Sequence, residues 1–93
     1  MRTFFEDEEV VFDITFYSDR LKQTPVDPDT YELELESPSG ASYTPTVAED
    51  GSRPENIGKY TASHVVDSYG IWEWKWITNS PRIVRQGKFQ VVQ

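Results

Sequence analysis

The run Gly70-Ile71-Trp72-Glu73-Trp74-Lys75-Trp76-Ile77 constrains the fold more than any other stretch of this chain, because its three tryptophans fall at every second position. A β-strand turns alternate side chains to opposite faces, so all three indoles share one side. A helix would scatter them over about 200° of its circumference. Each indole can bury roughly 150–250 Å², and three in a row make the floor of a hydrophobic core. The run therefore predicts the central strand of a β-sandwich.

The same alternation recurs along the chain, and no window carries apolar residues at helical spacing over three turns. Val10–Tyr17 (VVFDITFY) predicts a strand with Phe12, Ile14 and Phe16 inward, and Phe4-Phe5 a short edge strand before it. Asp19–Thr30 holds Pro25 and Pro28 and reads as a loop. Tyr31–Ser37 turns Tyr31, Leu33 and Leu35 inward and Glu32, Glu34 and Glu36 outward, and Pro38-Ser39-Gly40 makes a turn. Ala41–Val47 reads as a short strand that Pro45 confines to an edge, and Ala48–Asn56 as a polar loop. Ile57–Val66 places Tyr60 and Ala62 in the core. Arg82–Gln93 closes the chain with Phe89 and Val91 inward and a bend near Gly87. The expectation is an all-β antiparallel sandwich of about seven strands, with a small barrel as its competitor.

Length and composition set the frame. Ninety-three residues suit one domain spanning 1–93, with a net stability of roughly 5–10 kcal/mol. There is no cysteine, hence no disulfide, which favours production in a reducing cytoplasm. Met1 reads as the start of a complete small gene product. Only Phe4 and Phe5 precede the acidic Glu6-Asp7-Glu8-Glu9, too little for a signal peptide, and no stretch is apolar enough for a membrane span. A formal net charge of −7 argues against nucleic acid and anionic membranes as ligands and fits docking on a basic patch of another protein.

Five short motifs run in order along nearly the whole chain: Asp27-Pro28-Asp29, Pro38-Ser39-Gly40, Gly58-Lys59-Tyr60, Gly70-Ile71-Trp72 and Gly87-Lys88-Phe89-Gln90-Val91. In this order they resemble small immunoglobulin-like proteins of tailed bacteriophages. Bacterial surface domains and macroglobulin-like modules share the Gly-x-Tyr and Gly-x-Trp elements. The chain departs from the phage pattern before its first long strand, where Glu6-Asp7-Glu8-Glu9 stands in place of a glycine or Gly-Asp turn. The resemblance implies an immunoglobulin-like sandwich and a non-enzymatic structural virion protein, made in the host cytoplasm. It would serve as a capsid decoration, a head–tail connector accessory or a tail component, contacting a larger virion protein and copies of itself.

In such a sandwich the Glu32/Glu34/Glu36 strand pairs with the tryptophan strand, which pairs with the last. The outer face would then set those glutamates beside Glu73 and Lys75, with Arg82, Arg85 and Lys88 one strand further. That is a mixed-charge sheet rather than a pocket tuned for glycoside hydrolysis.

No catalytic, cofactor or metal site is expected. His64 is the only histidine and reads as an ordinary polar residue on a strand face. Asp27-Pro28-Asp29 with Glu49-Asp50 or Glu6-Asp7 could offer oxygens to calcium, but without the regular loop spacing of a dedicated site; turn-forming aspartates explain them. Candidate partner contacts are Phe4, Phe5 and Glu6 in the N-terminal segment, Pro25 and Asp27 in the proline loop, and Tyr43 on the Ala41–Val47 edge. The alternative function is a carbohydrate or cell-surface binding module, which needs a clustered outward aromatic patch.

Overall fold

The computed structural model describes residues 1–93 and contains strands without helices. In chain order these are β1 (Arg2–Phe5), β2 (Glu9–Thr15), β3 (Thr30–Glu36), β4 (Ser42–Tyr43), β5 (Ala48–Glu49), β6 (Lys59–Val65), β7 (Gly70–Asn79) and β8 (Ile83–Val92). They build a five-stranded sheet, β1-β8-β7-β3-β4, and a three-stranded sheet, β2-β6-β5, stacked as a sandwich. The strands number eight because the segment read as a polar loop opens with β5, which pairs with Tyr60 and Thr61. The predicted Ala41–Val47 strand shrinks to Ser42–Tyr43. Pro45 cannot donate to a ladder, and between β4 and β5 the chain crosses to the other sheet.

One pair departs from the antiparallel expectation, since β1 runs parallel to β8 from Arg2↔Phe89 to Phe5↔Val92. The chain then turns at Glu6-Asp7-Glu8 into the opposite sheet. Asp7 takes a left-handed conformation there (φ 69°), one that short polar side chains tolerate better than most. Phe5 and Glu8 close the turn, with Glu8 N–H donating to Phe5 O and Phe5 N–H to Glu8 Oε1, both at 3.1 Å.

The core lies where the indole row meets the inner faces of its neighbours. Register sets Trp76 opposite Leu33, Trp74 opposite Leu35, and Trp72 opposite Phe89. Phe12, Phe16, Leu33, Leu35, Tyr60, Trp72, Trp76, Phe89 and Val91 are buried, whereas Ile14 and Trp74 are half-buried against them. Trp72 stacks on Phe89 with centroids 6.0 Å apart, and its indole N–H donates to Ser68 O at 2.9 Å. Phe16 meets Trp76 edge-on at 6.0 Å. Tyr31 shares the inward side of β3, but it sits at the open end of the sandwich and is exposed, leaning on Tyr60 at 4.5 Å. His64 also faces inward, half-buried between Tyr43 (4.7 Å) and Trp72 (5.8 Å).

The outer face of the large sheet carries mixed charge. Glu34 lies opposite Lys75, and Glu36 opposite Glu73, whose carboxylate is reached by Lys88 from β8 at 3.5 Å. Arg85 is a correction. Its partner in register is Trp76, so it stands on the inward side of β8 and not among the outer charges. Gly87 explains the placing of the middle indole, since a Cβ there would lie 2.5 Å from Trp74 Cζ2. The ring of Trp74 occupies the space a side chain at this position would fill.

Two substitutions test this arrangement. Trp72→Ala empties the centre of the core and is expected to cost about 3–5 kcal/mol, most of the stability of a domain this size, read as a collapse of the urea midpoint. Lys75→Glu sets like charges across β3 and β7 and is expected to cost about 0.2–1 kcal/mol, seen as a lower Tm at low salt and a smaller difference at high salt.

Candidate functional site

Two carboxylates converge on one guanidinium at one end of the sandwich. Asp27, in the loop before β3, receives four hydrogen bonds on its two oxygens. Oδ1 accepts from Gly58 N–H (2.8 Å), Arg53 Nη2 (3.0 Å) and the Tyr60 hydroxyl (3.1 Å), while Oδ2 accepts from Arg53 Nε (2.9 Å). Arg53 also donates to the carbonyls of Gly51 and Lys59, lies over the Tyr60 ring at 5.3 Å, and approaches Glu49 at 3.5 Å. The Arg53 guanidinium holds the Asp27 carboxyl below the usual carboxylate range; partial burial pulls the other way, and the Gly58 N–H and Tyr60 hydroxyl add to the lowering. Asp27 in turn raises Arg53, and burial pushes the Tyr60 hydroxyl up.

The local sequence explains the convergence. Pro28 is buried behind Asp27 and fixes its loop. Gly58 adopts φ +84°, and a Cβ there would meet Phe16 O at 2.6 Å. Only glycine lets that backbone come close enough for its N–H to reach Asp27. Tyr60 stands two residues further on the inward side of β6 and brings its hydroxyl to the same carboxylate. Asp27 and Glu49 do converge as the sequence suggested, but on the Arg53 guanidinium between them. The cluster is a clamp joining the proline loop, the Asp50–Gly58 loop and β6. Both Asp27 oxygens are engaged inside the molecule.

The other predicted contacts divide between inside and outside. Phe4 points inward and meets Phe89 edge-on at 5.5 Å, and Tyr43 stacks on Trp72 at 5.9 Å. Both serve the core, as Asp27 serves the clamp. The Glu6 backbone N–H donates to Val92 O, and Pro25 bridges to Tyr17. Phe5 alone among the predicted aromatic contacts turns outward, and it is 65% exposed. Beside it on the outer face of the large sheet stand Val92, its partner in register, and Ile71, 42% exposed, on β7. Tyr69, 57% exposed, immediately precedes that strand. Phe5, Val92 and Ile71 share the outer face at the end of the sheet away from the clamp, with Gln90 opposite Ile71 on β8.

Two parts of this picture escaped the sequence. Arg53 lies 26 residues from Asp27 and nothing local ties them. Ile71 did carry a signal, an apolar side chain on the charged, outward side of the tryptophan strand, where burial gives no reason for it. No family model matches this chain, and no curated protein matches it either.

The clamp makes stability depend on acid. Because folding lowers the Asp27 pKa, its contribution is complete above the unfolded carboxylate range near about pH 4 and is lost as pH falls through the folded value. Asp27→Asn is expected to be less stable than the parent at pH 7, with the difference narrowing at pH 3. Urea unfolding at both values checks this, and an equal difference at both would remove the carboxylate charge from the explanation.

Proposed function

We propose that this chain is a non-enzymatic structural protein of a tailed-phage particle, an immunoglobulin-like sandwich held by its neighbours through protein–protein contacts. The observation that carries the docking role is the exposure of Phe5, Tyr69 and Ile71 at one end of the sandwich, with Phe5 and Ile71 on the outer face of the large sheet. Large apolar side chains on an exposed sheet face mark interaction surfaces. The strand grouping supports the immunoglobulin-like reading. The B-E-D and C-F-G sets of that architecture map onto β2-β6-β5 and β3-β7-β8, and β4 extends the second set beside β3. The phage assignment rests on the five ordered motifs, two of which now have a joint physical role. The aspartate of Asp27-Pro28-Asp29 is held by the glycine and tyrosine of Gly58-Lys59-Tyr60.

A small domain repeated on a symmetric shell or tail tolerates a modest interface per copy, because many copies act together. The host protein would be a larger shell, connector or tail protein. Mass spectrometry of purified particles is expected to detect the chain, and its absence would remove the virion role. Phe5→Asp with Ile71→Asp is expected to abolish incorporation into particles while shifting stability by no more than about 0.5 kcal/mol per site, as for exposed positions generally. A glycan array run on the same protein tests the carbohydrate alternative.

A further inference from the structure

Along one side of the sandwich the two sheets part. Phe12 of β2 packs on Phe89 of β8, but four residues later Phe16 packs on Trp76 of β7. β2 therefore crosses away from β8, as the angle between stacked twisted sheets requires. β1 covers the neighbouring edge of β8 only from Phe89 to Val92. From there to the turn at Asp19–Lys22 a cleft of about 720 Å³ remains open, with Trp74, Trp76 and Ile83 along its apolar wall. Its size falls within the roughly 300–1,000 Å³ usual for ligand sites.

Three independent features of this cleft point to one kind of occupant. β2 is an edge strand, bonded only to β6. Phe16 N–H donates to Gly58 O and Val66 N–H to Glu8 O, so the even-numbered residues of β2 bond to β6. The backbone groups of Val11, Asp13 and Thr15 consequently face the open side. The indole N–H groups of Trp74 and Trp76 have no hydrogen-bond acceptor in the chain, whereas that of Trp72 is bonded to Ser68 O. Charge is the third. The chain has 9 Lys and Arg against 16 Asp and Glu, yet Arg2, Arg20, Lys22, Arg85 and Lys88 all line this cleft, against Asp13 and Asp19 alone. Lys88 reaches Glu73, while Arg2, Arg20, Lys22 and Arg85 have no carboxylate within ion-pair distance. The Asp19 carboxylate accepts from Gln23 and Thr24 N–H. A locally cationic cleft on a strongly anionic protein selects an acidic ligand.

We propose that this cleft receives an extended acidic segment of a partner protein, which adds to β2 as a fourth strand of the smaller sheet. Backbone hydrogen bonds to Val11, Asp13 and Thr15 hold the segment, alternate apolar side chains cover Trp74, Trp76 and Ile83, and its carboxylates meet the Arg20, Lys22 and Arg85 charges. The proposal rests on the reading of the chain as a docking module but uses a different surface from the one that carries Phe5 and Ile71.

The probe is a fluorescein-labelled nine-residue peptide alternating valine with glutamate, followed by fluorescence anisotropy and by tryptophan emission of the full chain. Binding is expected to quench or shift the emission, to weaken with added salt, and to be lost for the peptide with lysine in place of glutamate. Val11→Pro removes one outward N–H without touching the β6 ladder and is expected to weaken binding at least about tenfold. Arg20→Glu with Arg85→Glu, both at exposed positions, is expected to do the same and provides the test if the proline variant does not fold. Failure to bind at millimolar peptide, equal binding of the lysine peptide, or undiminished binding by the folded variants would overturn the proposal. None of these results bears on whether the chain is in the particle, and Phe5→Asp with Ile71→Asp leaves peptide binding unchanged if the two surfaces are separate.

Discussion

Three indoles on one face of β7 are the constraint from which the rest of the structure follows. Their bulk cannot be left in water, so β7 must lie inside a sheet with a second layer above it. β3 supplies Leu33 and Leu35 on one side and β8 supplies Phe89 on the other, each directly opposite an indole. Phe12, Phe16 and Tyr60 close over them from the second sheet. Because side chains alternate with a period of two, slipping β7 by one residue would bury Glu73 and Lys75 and expose every tryptophan. The register of the central pairs is therefore strongly specified.

The clamp around Asp27 handles a different difficulty. A sandwich without disulfides has long loops at its ends, and their backbone groups must be satisfied without covalent ties. One carboxylate gathers a guanidinium and a backbone N–H from one loop and a phenol from a strand. Hydrogen bonds to an ionised group are stronger than neutral ones, and here all four depend on the same charge. The Gly58-Lys59-Tyr60 motif is thus two devices in one: a glycine that permits close approach of the backbone, and a tyrosine whose ring belongs to the core while its hydroxyl belongs to the clamp. The residues that look most like chemistry in the sequence hold the fold together, and the surfaces suited to partners lie elsewhere.

Those surfaces differ in character. The outer face of the large sheet ends in the exposed Phe5 and Ile71, whereas the side cleft combines an open strand edge, an apolar wall and unpaired cations. An acidic protein that concentrates most of its cations at one cleft has electrostatically different faces.

What the sequence determined by itself was local and periodic. The alternation of Phe12, Ile14 and Phe16, of Leu33 and Leu35, and of the tryptophans specifies strands and their inward faces, because side-chain direction in a strand depends on position alone. The motif turns mark where those strands end. Tertiary structure decided which atoms from distant segments meet. Arg53 finds Asp27 only when the loops are brought to the same end. Tyr43 and Phe4 pack against the core because the fold sets them beside Trp72 and Phe89. Arg85 leaves the outer charges for the cleft because its register with Trp76 sets its face. The cleft itself exists only because two twisted sheets of unequal width cross at an angle, a property of the stacked pair that no single strand carries.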